Sequence, residues 1–106
     1  YDHCWVLDDS NKGLRSAAIL KEINSGIQME VFTDQPAIQF YSGNFLDGTN
    51  PMKQSDSLYN YRSGLCLETQ HFPNSPNESS FPSTELSPGE VYSTKTQFKF
   101  ILLNRF

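Results

Sequence analysis

From Val91 to Leu102 the chain alternates in period two. Tyr92, Thr94, Thr96, Phe98, Phe100 and Leu102 fall on one side, and Ser93, Lys95, Gln97 and Lys99 on the other. Successive side chains of an extended backbone point to opposite faces, whereas a helix would scatter the same residues around its circumference. The pattern predicts one long strand with a buried aromatic face and a wet face. A strand of that kind needs partners, and this requirement restricts the rest of the chain more than any other feature.

Other segments supply candidates. Ser16 to Lys21 reads as a short strand closed by Asn24-Ser25-Gly26, and Gln28 to Thr33 alternates, with Met29, Val31 and Thr33 on one face and Gln28, Glu30 and Phe32 on the other. Ala37 to Tyr41 resumes as extended chain after Pro36, and Leu65 to Thr69 is a further strand. Asp8 to Gly13, Ser42-Gly43-Asn44 and Asp47 to Pro51 carry turn chemistry, and Pro51 to Ser63 is a polar, irregular excursion. His71 to Pro88 holds four of the six prolines and excludes regular helix or central strand. No helix of useful length, repeat or linker is visible. The reading is all-β, an antiparallel β-sandwich or part of one. The abrupt start at Tyr1-Asp2-His3-Cys4-Trp5 and the unpaired edges of so small a β domain point to a piece of something larger.

Composition removes several classes. The 106 residues make one small domain at most, 37% hydrophobic and 13% aromatic. Net charge is −4 and the eight Lys and Arg residues are scattered, which argues against nucleic acid as partner. No apolar run is long enough for a bilayer, and no signal peptide is visible, so a cytoplasmic location is expected. Without a secretory signal, the sequon Asn77-Glu78-Ser79 reads as chance. Cys4 and Cys66 lack metal-site spacing and His partners; they read as two reduced, partly buried thiols, with a disulfide as the alternative.

Three segments place a polar residue where the pattern does not require one. In Tyr1-Asp2-His3-Cys4-Trp5, Asp2 and His3 could form a pair, but adjacent strand residues face opposite ways; the plainer reading is His3 hydrogen-bonded in a turn. In Thr33-Asp34-Gln35-Pro36, turn chemistry comes first, and a Gln35 amide aimed at sugar hydroxyls stands beside it. In Leu65-Cys66-Leu67-Glu68-Thr69-Gln70, Glu68 shares a face with Cys66 and Gln70. A carboxyl group taken out of water is suited to general-base work near neutral pH. From pattern alone an exposed Glu68 on the wet face comes first.

Taken in order, Tyr1-Asp2-His3-Cys4-Trp5, Met29 to Pro36, Gln39 to Leu46, Gly64 to Pro73, Phe81-Pro82-Ser83 and Ser87 to Tyr92 closely resemble the C-terminal third of the galactose mutarotase (aldose 1-epimerase) family. The resemblance covers essentially the whole chain. It implies that residues 1–106 are a single segment of a large galactose-mutarotase-like β-supersandwich whose N-terminal part is absent. It implies an isomerase that interconverts the α and β anomers of free aldohexoses such as galactose and glucose, with no metal and no cofactor. In that mechanism a Glu takes the anomeric hydroxyl proton while a His protonates the ring oxygen. Carried over by motif, Glu68 is the catalytic base, while Asp2 and Gln35 bind substrate; His3 is not the acid.

The resemblance also has departures. The family's acid His, a second His and a sugar-binding Arg lie in the N-terminal part, and His71 is no obvious substitute. The usual Asp after His-Phe-Pro is Asn74 here. The chain alone is therefore expected to show little or no activity. The alternatives are a non-catalytic carbohydrate-binding remnant of the same fold, the mutarotase part of a bifunctional hexose epimerase, or the sister group acting on hexose 6-phosphates. The last would want clustered Arg, and Arg15, Arg62 and Arg105 lie far apart in sequence.

Overall fold

The hairpin that closes at Gly26 organises the first of two sheets. A computed structural model of the chain describes residues 1–8 and 13–103. Among them are six strands: β1 (Asp2–Val6), β2 (Arg15–Glu22), β3 (Ile27–Thr33), β4 (Ala37–Tyr41), β5 (Cys66–Gln70) and β6 (Thr96–Leu102). β2 and β3 pair through a turn in which the Glu22 carboxylate accepts the backbone N–H of Asn24 at 2.9 Å and of Ser25 at 2.6 Å. Hydrogen bonds from Ser25 and Asn24 hold the Glu22 carboxyl down to about 2. Gly26 has φ +73°, a left-handed conformation that favours glycine. β6 pairs along the far side of β3, with Val31 opposite Phe98 and Thr33 opposite Thr96, giving the order β2-β3-β6. β4 does not fold back on β3. It crosses to the second sheet, of order β1-β4-β5. Every pairing is antiparallel. The all-β expectation holds, and no described helix is long and apolar enough to cross a membrane.

The predicted strands over Gln28 to Thr33, Ala37 to Tyr41 and Leu65 to Thr69 match β3, β4 and β5 within a residue. Pro51 to Ser63 is irregular, with one isolated bridge between Pro51 and Leu58, and the proline-rich stretch holds only a 3₁₀ turn at Ser75–Asn77. Residues 9–12 of the polar turn expected at Asp8 to Gly13 lie outside the described residues, as does Arg105.

Three expectations need correction. The last strand begins at Thr96 instead of Val91, because its partner β3 ends at Thr33. Beyond that point the polar groups of Thr94 and Lys95 bond to the Asp34 side chain instead of a neighbouring strand. The face expected to be buried is also open: Phe98, Phe100 and Leu102 are 52%, 68% and 73% exposed. No second layer from the described residues covers it. Likewise His3 is not in a turn. It sits within β1 opposite Phe40, with its Nδ1 accepting the Asp2 N–H at 3.2 Å.

The buried residues gather where β3 hands over to β4. Val31, Ala37 and Ile38 are buried there, joined by Thr33, Gln35 and Pro36. The two sheets touch through Thr96, whose hydroxyl lies 2.6 Å from that of Thr69 and 3.3 Å from that of Thr33. Away from this seam the molecule is open. Its radius of gyration is 17.0 Å, against about 13 Å for a compact chain of this length. Its surface is 8160 Å² for 12.1 kDa, against about 6,000 Å² for a compact monomer.

Arg15 fastens the corner. Its Nε donates to the Asp8 carbonyl at 3.0 Å, Nη1 to the Thr33 carbonyl at 3.0 Å and Nη2 to the Gln35 carbonyl at 3.0 Å. One planar fork thus satisfies carbonyls from both sides of the turn. Arg15→Met is expected to lower stability by about 2 kcal/mol, since hydrogen bonds from a charged group are worth more than neutral ones. Arg15→Lys should recover little of it, because a single ammonium cannot reach all three carbonyls. The midpoint of urea unfolding measures both; a midpoint unchanged in Arg15→Met would show that the fork is dispensable.

Candidate functional site

The registers of β1, β4 and β5 build a row of polar side chains. Cys4 stands opposite Gln39 and Gln39 opposite Glu68; one pair further, Asp2 stands opposite Tyr41 and Tyr41 opposite Cys66. Because directly paired residues share a face, Asp2, Cys4, Gln39, Tyr41, Cys66, Glu68 and Gln70 all project from one side of this sheet. His3, Trp5, Ile38, Phe40, Leu67 and Thr69 take the other side. Asp2 and His3 therefore face opposite ways, as the alternation requires.

Asp2 and Glu68 are separated by two strand spacings and one two-residue repeat, which is about 12 Å between Cα atoms. They stand on the two outer strands, with β4 between them. Gln39, on the central strand, donates from Nε2 to Asp2 Oδ1 at 2.7 Å. Nothing in the sequence alone distinguishes it. The available signal was a lone amide between Ile38 and Phe40, and only the register shows that it stands between the two carboxylates. Glu68 is exposed, so these residues alone do not supply the enclosure that base chemistry wants. Beyond Cys4 on the same face a cavity of about 300 Å³ is lined by Cys4, Val6, Phe72, Pro73 and Phe81.

The start of β1 is held from the β4 side. The Tyr1 carbonyl accepts the Ser42 N–H at 3.0 Å and the Asn44 side-chain amide at 2.7 Å. Gly43 between them has φ +70°, and a Cβ there would run into the Gly64 carbonyl oxygen just before β5. The Ser42-Gly43-Asn44 segment thus aligns all three strands.

Gln35 lies elsewhere, in the corner before β4. It is 5% exposed, and its Nε2 donates both to the Tyr92 hydroxyl and to Thr94 Oγ1, the latter at 2.6 Å. Thr94 Oγ1 in turn donates to Asp34 Oδ1 at 2.7 Å. Hydrogen bonds from Thr94 and from the Lys95 N–H hold the Asp34 carboxyl below its usual range. Gln35 Oε1 is buried with no partner, the one such side-chain atom among the described residues. The structure brings Asp2 and Glu68 onto one face and leaves Gln35 with only an acceptor free.

His71 lies against Tyr92, ring centroids 6.2 Å apart, one residue past the end of β5. Asn74 takes φ +67° at the head of the 3₁₀ turn, and its Oδ1 accepts from the Asn77 amide at 2.6 Å. Asn tolerates this left-handed backbone well, which gives the unexpected residue a structural role. Of the arginines, Arg15 bonds to carbonyls and Arg62 lies 5.0 Å from the Tyr61 ring centroid; the two do not form an anion site.

Comparison with known proteins gives a consistent result. The family model described as aldose 1-epimerase matches residues 1–99. The chain is 47% identical over 100 residues to the galactose mutarotase of Mus musculus and 45% to that of Homo sapiens. It is 40% identical over 103 residues to the aldose 1-epimerase of Escherichia coli K12. These alignments cover 94% to 95% of the chain but 29% of each relative.

Both cysteines are free. The same two-spacing, one-repeat offset puts about 12 Å between their Cα atoms, beyond the ~7 Å limit for a bridge. This settles against the disulfide. It also corrects the expectation that both thiols are partly buried: Cys4 is, but Cys66 is exposed. Burial pushes the Cys4 thiol up, with a smaller opposing effect from its hydrogen bond to Gln70. Because thiolate is the reactive form, Cys4 holds less of it at a given pH. Without reductant, a disulfide-exchange dye at pH 8 should therefore titrate two thiols, a fast one at Cys66 and a slow one at Cys4. In Cys66→Ser the fast phase should vanish; its persistence would refute the assignment.

Proposed function

The chain belongs to the aldose 1-epimerase family, and from that premise we propose that it carries the base-bearing part of a site that interconverts the α and β anomers of free aldohexoses such as galactose and glucose. Since it spans 29% of the length of the curated relatives it matches, the proposal includes completion of the site by the rest of an aldose 1-epimerase domain. The observation that supports it is the shared face of Asp2 and Glu68, with Gln39 between them.

On this reading Glu68 takes the proton of the anomeric hydroxyl. Its electron pair becomes the carbonyl as the bond from the anomeric carbon to the ring oxygen breaks, and an acid from outside these residues protonates that oxygen. The open-chain aldehyde end rotates; the former ring oxygen then attacks the carbonyl on its other face and gives its proton back to that acid's conjugate base, while Glu68 returns its proton to the anomeric oxygen. Asp2 accepts hydrogen bonds from sugar hydroxyls and so fixes the ring for this exchange. The donors of Gln35 are engaged by Tyr92 and Thr94 and its Oε1 is buried, so on this reading Gln35 meets the sugar through Oε1 only once that corner opens. Two free thiols suit a reducing compartment, and we place the protein in the cytoplasm. The exposure of Glu68 favours a second reading, a sugar-binding remnant with no chemistry.

Polarimetry of freshly dissolved α-D-galactose separates the two. The complete gene product should speed the approach to equilibrium, and Glu68→Gln should slow it by about 10²-fold or more. Residues 1–106 alone should give no acceleration, lacking the acid. Full activity in Glu68→Gln would remove Glu68 as the base. Sugar binding without acceleration by the complete product would establish the second reading.

A further inference from the structure

We propose that Gln39 is a positioning residue for this site, holding the Asp2 carboxylate at the angle from which it meets the sugar; the proposal rests on the mutarotase reading above. Gln39 sits on β4, the central strand, opposite both Cys4 and Glu68. Its neighbours in the strand point to the other face. A half-buried amide at this place has little packing role, and an apolar residue would fit the strand equally well.

The hydrogen bond explains its presence. Asp2 is exposed on the outer strand β1, and a short carboxylate there would otherwise move among rotamers. The 2.7 Å bond from Gln39 Nε2 engages one oxygen, Oδ1, and restrains the carboxylate's rotation. Oδ2 is left to accept from a ligand. A Gln side chain has two amide hydrogens and a carbonyl oxygen. The bond to Asp2 uses one hydrogen, so a donor and an acceptor remain at the centre of the row. Glu68 is the direct cross-strand neighbour, within about 5.5 Å at Cβ. A neutral donor here is also the group that two flanking carboxylates tolerate. A carboxylate in its place would put three like charges on one face, and an ammonium would hold both acids permanently in ion pairs.

The role through Asp2 has a signature that simple damage would lack. In the complete gene product, Gln39→Leu should raise KM for galactose about tenfold and leave kcat within about threefold. The same change placed on Asp2→Ala should have no further effect on KM, because the group it positions is gone. Gln39→Glu should also raise KM, and the effect should shrink as pH falls and carboxylates protonate. An independent readout needs no activity: in ¹⁵N spectra the Gln39 side-chain amide should show one strongly hydrogen-bonded proton, lost in Asp2→Ala. Equal losses from Gln39→Leu with and without Asp2, or an amide signal indifferent to Asp2, would overturn the proposal. Activity absent from the unaltered protein, with the amide signature intact, would instead count against the mutarotase reading and leave the Gln39–Asp2 tether standing.

Discussion

The molecule depends on one corner. Between Thr33 and Ala37 the backbone leaves one sheet for the other, and its polar groups cannot be satisfied by either ladder there. They are satisfied instead by side chains and by backbone of other segments, the Asp34 N–H donating to the Lys95 carbonyl at 3.2 Å and the Leu7 N–H to the Pro36 carbonyl at 3.0 Å. Arg15 takes the carbonyls of Thr33 and Gln35, Thr33 Oγ1 takes the Gln35 N–H, and Asp34 takes Thr94 and Lys95. Buried backbone groups without partners would make the crossover unfavourable. With these partners it becomes the most buried part of the chain. The crossover sends β4 between β1 and β5, and this placement brings Asp2, Gln39 and Glu68 onto one face.

How much of this the sequence disclosed follows from how local each determinant is. β3, β4 and β5 are legible because alternation, β-branched and aromatic residues and flanking turns agree within each segment. β6 begins late for a reason outside its own pattern, the end of its partner at Thr33. β1 was obscured by His3 and Asp2, whose polarity suggests a turn until their partners on β4 are known. Glu68, Asp2 and Gln35 came from motif wording. Gln39 is not legible in the same way, because a single amide in a strand signals nothing until the register names its neighbours. Gln35 is legible through its motif, but its environment is not: no spacing shows that Tyr92 and Thr94, nearly sixty residues on, engage its donors.

The two open surfaces raise one physical question. The face with Leu20, Ile27, Phe98, Phe100 and Leu102 exposes apolar area that water disfavours. The opposite problem holds at the polar row, where Glu68 and Asp2 are exposed to water. A hydrated carboxylate makes a sluggish base because solvent competes for its lone pairs and screens the charge that develops in the sugar. On the proposed reading the rest of the domain resolves both. It buries the apolar face by covering the β2-β3-β6 sheet, and it removes water from the row while bringing in the acid.

The architecture also explains how such a division can work chemically. An antiparallel sheet fixes side-chain positions by backbone pairing, so the spacing between Asp2 and Glu68 is set without a lid or a metal. What the sheet cannot fix is the rotation of each carboxylate. Gln39 supplies that restraint for Asp2 from within the same row. No comparable donor to Glu68 appears among the described hydrogen bonds, and this asymmetry matches their proposed roles. A substrate-binding group gains from being held still, whereas a base that takes a proton from one anomer and returns it on the other face must keep some freedom to follow the moving oxygen.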